Sequence, residues 1–238
     1  MFHPKGPTFF ELARQALSST EKGYDLLAPK FDYTPFRTPD WLLQAVANQL
    51  QALAPFGSGL DLCCGTGAGM HWLRPLCRDR VVGLDFSQGM LEVCREQLAD
   101  APGAARVELV RGNALALPFG PEFDVVVCFG AFGHILPRDE PRFVGEIARV
   151  LKPGGRFVFV TSFRPPLWSM DAWLAWLFNG AMHVRNVLIS PPFIMYYLTF
   201  LLPEVKDLLE KHGLAVEVRE LRRERFCPRL HLVTARKK

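Results

Sequence analysis

The sequence has no C-x-x-C pair and no grouping of cysteine and histidine at zinc spacing, although six cysteines are present, at positions 63, 64, 77, 94, 128 and 227. That absence argues against a zinc site and a thioredoxin-type redox motif. It predicts reduced thiols and no bound metal. An excess of one charge sign is also missing. The net charge is +4 with both signs interspersed, and there is no basic-aromatic stripe, so no nucleic-acid partner is expected. No secretory leader is legible in MFHPKGPTFF, which carries two prolines and no long apolar stretch. One charge-free run, NVLISPPFIMYYLTFLL over 186–202, is short for a membrane span and is broken by Pro191-Pro192. The expectation is a cytoplasmic protein whose contact with membranes, if it has one, is peripheral.

What is present suits one α/β domain with a full core: 238 residues, 49% of them hydrophobic. Residues 1–55 read as a helical cap. Thr38 is an N-cap candidate with Pro39 at the first helical position, followed by WLLQAVANQLQAL at helical spacing. From 56 to 162, apolar strands (GLDLCC, RVVGLD, RVELVRGN, FDVVVCFG, RFVFVTS) alternate with helical segments, the last closed by the glycine-rich stop KPGG. Such alternation predicts a doubly wound parallel sheet covered on both faces. Residues 163–203 form an aromatic-rich insertion. Residues 204–238 read as a helix and two successive strands, LAVEVREL and CPRLHLVTAR, pairing as a hairpin.

The stretch LDLCCGTGAG follows the first parallel strand and opens a helix. That is the nucleotide position of a doubly wound sheet. Asp85 ends the next strand, placed to accept hydrogen bonds from two ribose hydroxyls. A dinucleotide loop reads G-x-G-x-x-G, but here Met70 stands where the third glycine belongs and the pattern is G-x-G-x-G. Asp61 sits at the strand end and no basic residue precedes His71. A cofactor carrying an ammonium group suits this loop better than one carrying phosphates. Cys63 and Cys64 read as small packing residues, and Gly69 as a close helix–sheet contact.

With LDLCCGTGAG, VVGLDFS, GNALALPF, FDVVVCFGAF and LKPGG in order, residues 24–162 resemble the class I S-adenosylmethionine-dependent methyltransferases, in the branch of the ubiquinone and menaquinone C-methyltransferases. The resemblance implies a Rossmann-like, seven-stranded, mostly parallel sheet with an antiparallel C-terminal hairpin. It implies S-adenosylmethionine as cofactor, with Gly65, Thr66 and Gly67 around its methionine portion and Asp61 toward that end. Asp85 would hold the ribose, Phe86 and Met90 would border the adenine, and Phe129 and Gly130 would lie beneath the methionine amino group. The family usually has G-D-A before its LPF. Gly112-Asn113-Ala114 stands here, so Asn113 and Ala114 would meet the adenine without a charge. YDLLAPKFDY resembles the family's N-terminal tyrosine-rich stretch, making Tyr24 and Tyr33 candidates for closing over the cofactor.

Methyl transfer from a sulfonium requires alignment and exclusion of water, with a base only where the acceptor must lose a proton. His134, just past the fourth strand, is the candidate base; His183, Tyr196 and Tyr197 in the insertion are alternatives. The insertion, with Trp168, Trp173, Phe193, Tyr196 and Tyr197, suits a cover over a small lipophilic or aromatic acceptor. The same residues suit a peripheral membrane contact or a homodimer interface. A non-catalytic cofactor-binding module and an NAD-type oxidoreductase are the competing readings; Met70 argues against the latter.

Overall fold

The computed structural model describes residues 3–221 and 230–238. Four helical elements come first: α1 (Phe9–Ala16), α2 (Thr20–Leu27), a 3-10 segment (Ala28–Tyr33) and α3 (Asp40–Gln51). α3 begins one residue later than the sequence suggests. Pro39 is extended (φ −63°, ψ 141°) and occupies the cap itself, leaving Thr38 outside the helix. Then come β1 (Phe56–Leu62), α4 (Ala68–Leu73), β2 (Cys77–Asp85), α5 (Gln88–Leu98), β3 (Arg106–Arg111), β4 (Phe123–Cys128), α6 (Glu140–Val150) and β5 (Leu151–Ser162). KPGG does not act as a helix stop. Leu151 is already extended, and Lys152–Gly155 forms an irregular start to β5, where the register against β4 shifts. The chain ends with α7 (Met170–Leu188), α8 (Glu204–Lys211), β6 (Leu214–Leu221) and β7 (Leu230–Lys237). The expected last strand began at residue 227, and its first three residues lie outside the described ones.

The seven strands form one sheet in the order β3-β2-β1-β4-β5-β7-β6, parallel except for β7, which is antiparallel to both its neighbours. Period-two alternation splits its side chains between two cores. Leu60, Leu62, Val82, Leu84, Val126, Cys128, Phe157 and Phe159 face α6 and α8. Val81, Val125, Val127 and Val158 face α3, α4 and α5. Because both faces are covered, the central strands are apolar nearly throughout, as a parallel sheet requires. Strand order reverses between β1 and β4, so the loops leaving their carboxyl ends diverge and open a crevice.

Candidate functional site

A cavity of about 330 Å³ fills that crevice. The loop leaving β1 is its floor, and glycine sets its shape. Gly65 (φ +52°) and Gly67 (φ +90°) are left-handed, a conformation that costs little only without a Cβ. A Cβ on Gly67 would stand 2.6 Å from the Cys94 sulfur. Cys63 is also left-handed (φ +59°), strain of roughly 1–3 kcal/mol for a residue with a side chain. Met70, where a dinucleotide loop has glycine, is fully buried, and its sulfur fills the space that Gly83 leaves on β2.

Asp61 is the unusual group. It is buried, and its Oδ2 has no hydrogen-bond partner. Burial pushes its carboxyl up to about 8, the nearby Asp85 adds to the rise, and the Met70 N–H opposes it. Gly69 makes this placement possible, because a Cβ there would lie 2.4 Å from Asp61 Oδ2 and 2.9 Å from the Phe129 ring. Asp85 is differently kept. Its oxygens accept the Gly65 and Ser87 backbone N–H groups, each at 2.9 Å, and each retains a second lone pair. Burial still raises it above the usual carboxylate range, against those hydrogen bonds.

The N-terminal segment closes the cavity from above. Asp25 accepts from Ser87 Oγ (2.6 Å) and the Gly89 N–H (2.9 Å), fastening α2 to the start of α5. Asp32 accepts from Thr66 Oγ1 (2.7 Å) and from Gln97. Tyr24 then points inward. Its hydroxyl lies 2.8 Å from His134 Nε2, and His134 Nδ1 faces the Ile194 carbonyl. With Nδ1–H donating to that carbonyl, Nε2 carries the lone pair and the tyrosine O–H donates to it. Burial lowers the His134 pKa, against the hydrogen bond to the Ile194 carbonyl, and raises that of the Tyr24 phenol.

The structure brings many of the sequence-derived residues to this one cavity. Asp61, Gly65, Thr66, Asp85, Phe86, Met90, Phe129 and Gly130 line it, with His134, Tyr24 and Tyr197. Gly67 lies behind the loop, at the N-cap of α4. Others stand elsewhere. Asn113 turns its oxygen onto the Leu115 N–H (2.8 Å), and Ala114 packs in the core. Tyr33 stacks on His3, beside a neighbouring hollow. Phe193 is buried behind Tyr24, their rings stacked at 6.3 Å. Tyr196 is held by Asn186 and by its backbone N–H to Gly133. Trp168, Trp173 and His183 are exposed on the outside of the insertion. A helix of the length of α7 presents one side inward: Trp173 lies on its outer side and His183 on its flank, while Trp168 precedes its N-cap. Asp25 and Asp32 were missed, although both sit in the quoted YDLLAPKFDY; their partners, Ser87, Gly89, Thr66 and Gln97, lie 34 to 65 positions away, so no local pattern marks them. Arg37, Thr38 and Met195 also line the cavity without any sequence signal. Among the described residues, no group of three or more histidine, cysteine or acidic side chains could hold a metal ion.

A family described as a methyltransferase domain matches residues 60–155. The demethylmenaquinone methyltransferase of Lactiplantibacillus plantarum is 34% identical over 174 residues, 66% of this chain and 71% of that protein. The same enzyme of Lactococcus lactis is 41% identical over 114 residues, 45% of this chain and 43% of that protein. The chain thus spans under half the length of the Lactococcus protein. Among solved structures, the DhpI–SAH complex superposes with a TM-score of 0.67 at 20% identity, covering 97% of this chain and 98% of that one. Magnesium protoporphyrin IX methyltransferase from Synechocystis PCC 6803, solved with bound SAH, superposes with a TM-score of 0.62 at 14% identity, covering 96% and 100%.

Proposed function

The chain belongs to the class I S-adenosylmethionine-dependent methyltransferases, and on that premise we propose that it methylates a small lipophilic or aromatic acceptor held between Tyr24, His134 and Tyr197. The observation that carries this reading is the cavity itself: one buried carboxylate oxygen without a partner on one wall, and aromatic rings on the others. The cofactor's ammonium group would satisfy the Asp61 oxygen, the ribose would use the free lone pairs of Asp85, and Phe86 and Met90 would flank the base. Arg37, already paired with Asp32 and Asp40, offers a cation to the carboxylate of the methionine end. When bound, the cofactor supplies an electrophilic methyl group on a positively charged sulfur. The protein orients the acceptor and excludes water.

The aromatic wall of Tyr24, Phe31, Phe36 and Tyr197 favours a flat, apolar acceptor. The demethylmenaquinone of the relatives' names is the first acceptor to try. Where the acceptor carries an acidic O–H or C–H, its proton passes to the Tyr24–His134 pair. His134 Nε2 is the receiving atom, and the Ile194 carbonyl steadies the imidazolium that results. Calorimetric titration with S-adenosylhomocysteine, followed by a turnover assay over quinol, phenol and amine acceptors, tests the reading. Cofactor-product binding with turnover of quinols or phenols supports it. Turnover of hydrophilic amines alone would overturn the acceptor class.

A further inference from the structure

A helix packed on a domain ordinarily turns its apolar stripe inward and its polar stripe to water. α7 departs from this. Its inward side carries only small or single apolar residues, Ala172, Ala175 and Met182, with Asn179 and Asn186, whose amides bond the backbone of Tyr197 and Phe193. Its outward stripe, at i, i+3, i+4 and i+7 spacing, is Met170, Trp173, Leu174, Leu177, Val184 and Leu188, each between 56% and 77% exposed. Leu167 and Trp168 extend the same surface before the N-cap, with Trp168 86% exposed. At the other end Arg185 binds the Ala16 and Ser18 carbonyls, which brings up the end of α1 and the exposed Leu17. Single exposed apolar side chains are ordinary, but so many along one side of a helix mark an interaction surface.

We propose that this face of α7 lies in the surface of an anionic lipid bilayer, with the helix axis in the membrane plane. Charge complementarity selects that occupant. Glu11 and Glu21 are neutralised by Lys30 and Arg111. Arg14 and Lys22, within about one helical turn of the carbonyls held by Arg185, form no ion pair among the described residues, and His183 is exposed on the helix flank. The acid on α7 is Asp171, at its start. Basic charge beside an apolar helix face rich in tryptophan and leucine is the composition of an interfacial helix. Among the described residues no helix is long and apolar enough to cross a membrane. The segment bonded to the inner side of α7 contributes Met195 and Tyr197 to the cavity. The lipid surface would then lie about one helix diameter, ~10 Å, from the acceptor wall. Delivery of the acceptor from the bilayer rests on the lipophilic-acceptor reading; the lipid contact does not, and its test needs no acceptor.

The test is flotation of the full chain with phosphatidylcholine vesicles and with vesicles containing one part in three phosphatidylglycerol. Binding to the anionic vesicles is expected to weaken about tenfold or more in the Leu174→Glu, Leu177→Glu double variant, and in high salt. Calorimetric affinity for S-adenosylhomocysteine should be unchanged in that variant, since both leucines are exposed and remote from the cavity. No flotation of the unaltered chain, or equal flotation of the variant, would overturn the assignment. Equal binding to neutral vesicles would overturn its anionic character. A dimer in sedimentation velocity that the variant dissolves, without vesicle binding, would assign the face to a second copy instead.

Discussion

Asp61 is a carboxyl group that the fold buries with one oxygen unpartnered, and that is a cost to the free protein. Its folded pKa of about 8 lies above the ordinary 3.8, so the native state holds the proton more tightly than the unfolded chain. The stability this confers is fully present below pH ~4 and is lost as pH rises to about 8. Asp61→Asn removes the ionisation. Thermal unfolding of the free variant should therefore gain on the native protein as pH climbs from 4 to 8, by about 1–3 kcal/mol at the upper end. The same change should weaken S-adenosylhomocysteine binding about tenfold or more by calorimetry, because a charge-assisted hydrogen bond is lost. A variant less stable at pH 8 than the native protein would show that the oxygen already has a partner. Gly69→Ala tests the same placement from the other side. Its Cβ would meet Asp61 and Phe129, and a fall of about 1–3 kcal/mol in denaturant stability is expected.

At the scale of elements, α2 and the 3-10 segment after it form a strap fastened at two points. Asp25 grips the N-terminus of α5, and Asp32 grips Thr66 in the glycine loop. Asp32→Ala frees one end. Hydrogen exchange over residues 24–38 should accelerate, and cofactor affinity should fall several-fold, with little change in the exchange of β1 and β4. Asn179 clasps both the N–H and the carbonyl of Tyr197. Asn179→Ala should raise KM for the acceptor while leaving cofactor affinity within about twofold, an effect of one neutral hydrogen-bonded side chain on a wall the cofactor's polar groups do not use. Equal loss of both affinities would mean that the segment holds the whole cavity together rather than the acceptor wall.

For the whole molecule, the pH dependence of cofactor binding joins these parts. In the proposed site the cofactor's ammonium group meets the Asp61 carboxylate, so below pH 8 binding must release a proton, and affinity should drop about tenfold per pH unit on the acid side. His134 acts in the opposite sense. Burial holds its pKa down, so the proposed base stays available at pH values where an ordinary histidine is already charged. A flat affinity profile between pH 6 and 8 would remove Asp61 from the ammonium site.

Much of this architecture was legible in the chain because the signals are local. The strand–helix alternation, the glycine spacing and Asp85 at a strand end each depend on residues a few positions apart. They determined the doubly wound fold, the place of the cavity and the class of cofactor. Met70 was enough to set aside a dinucleotide loop, since sterics at one position decide it. Other features only tertiary packing could decide. The Tyr24–His134 pair spans 110 positions and Asp32–Thr66 spans 34. Of the residues read from composition as acceptor-binding groups, Trp173 points outward because Asn179 and Asn186 claim the inner side of α7, and Trp168 is exposed just before that helix. Composition counts residues without saying which way a helix is turned, and that rotation was set by hydrogen bonds between segments that no local pattern relates.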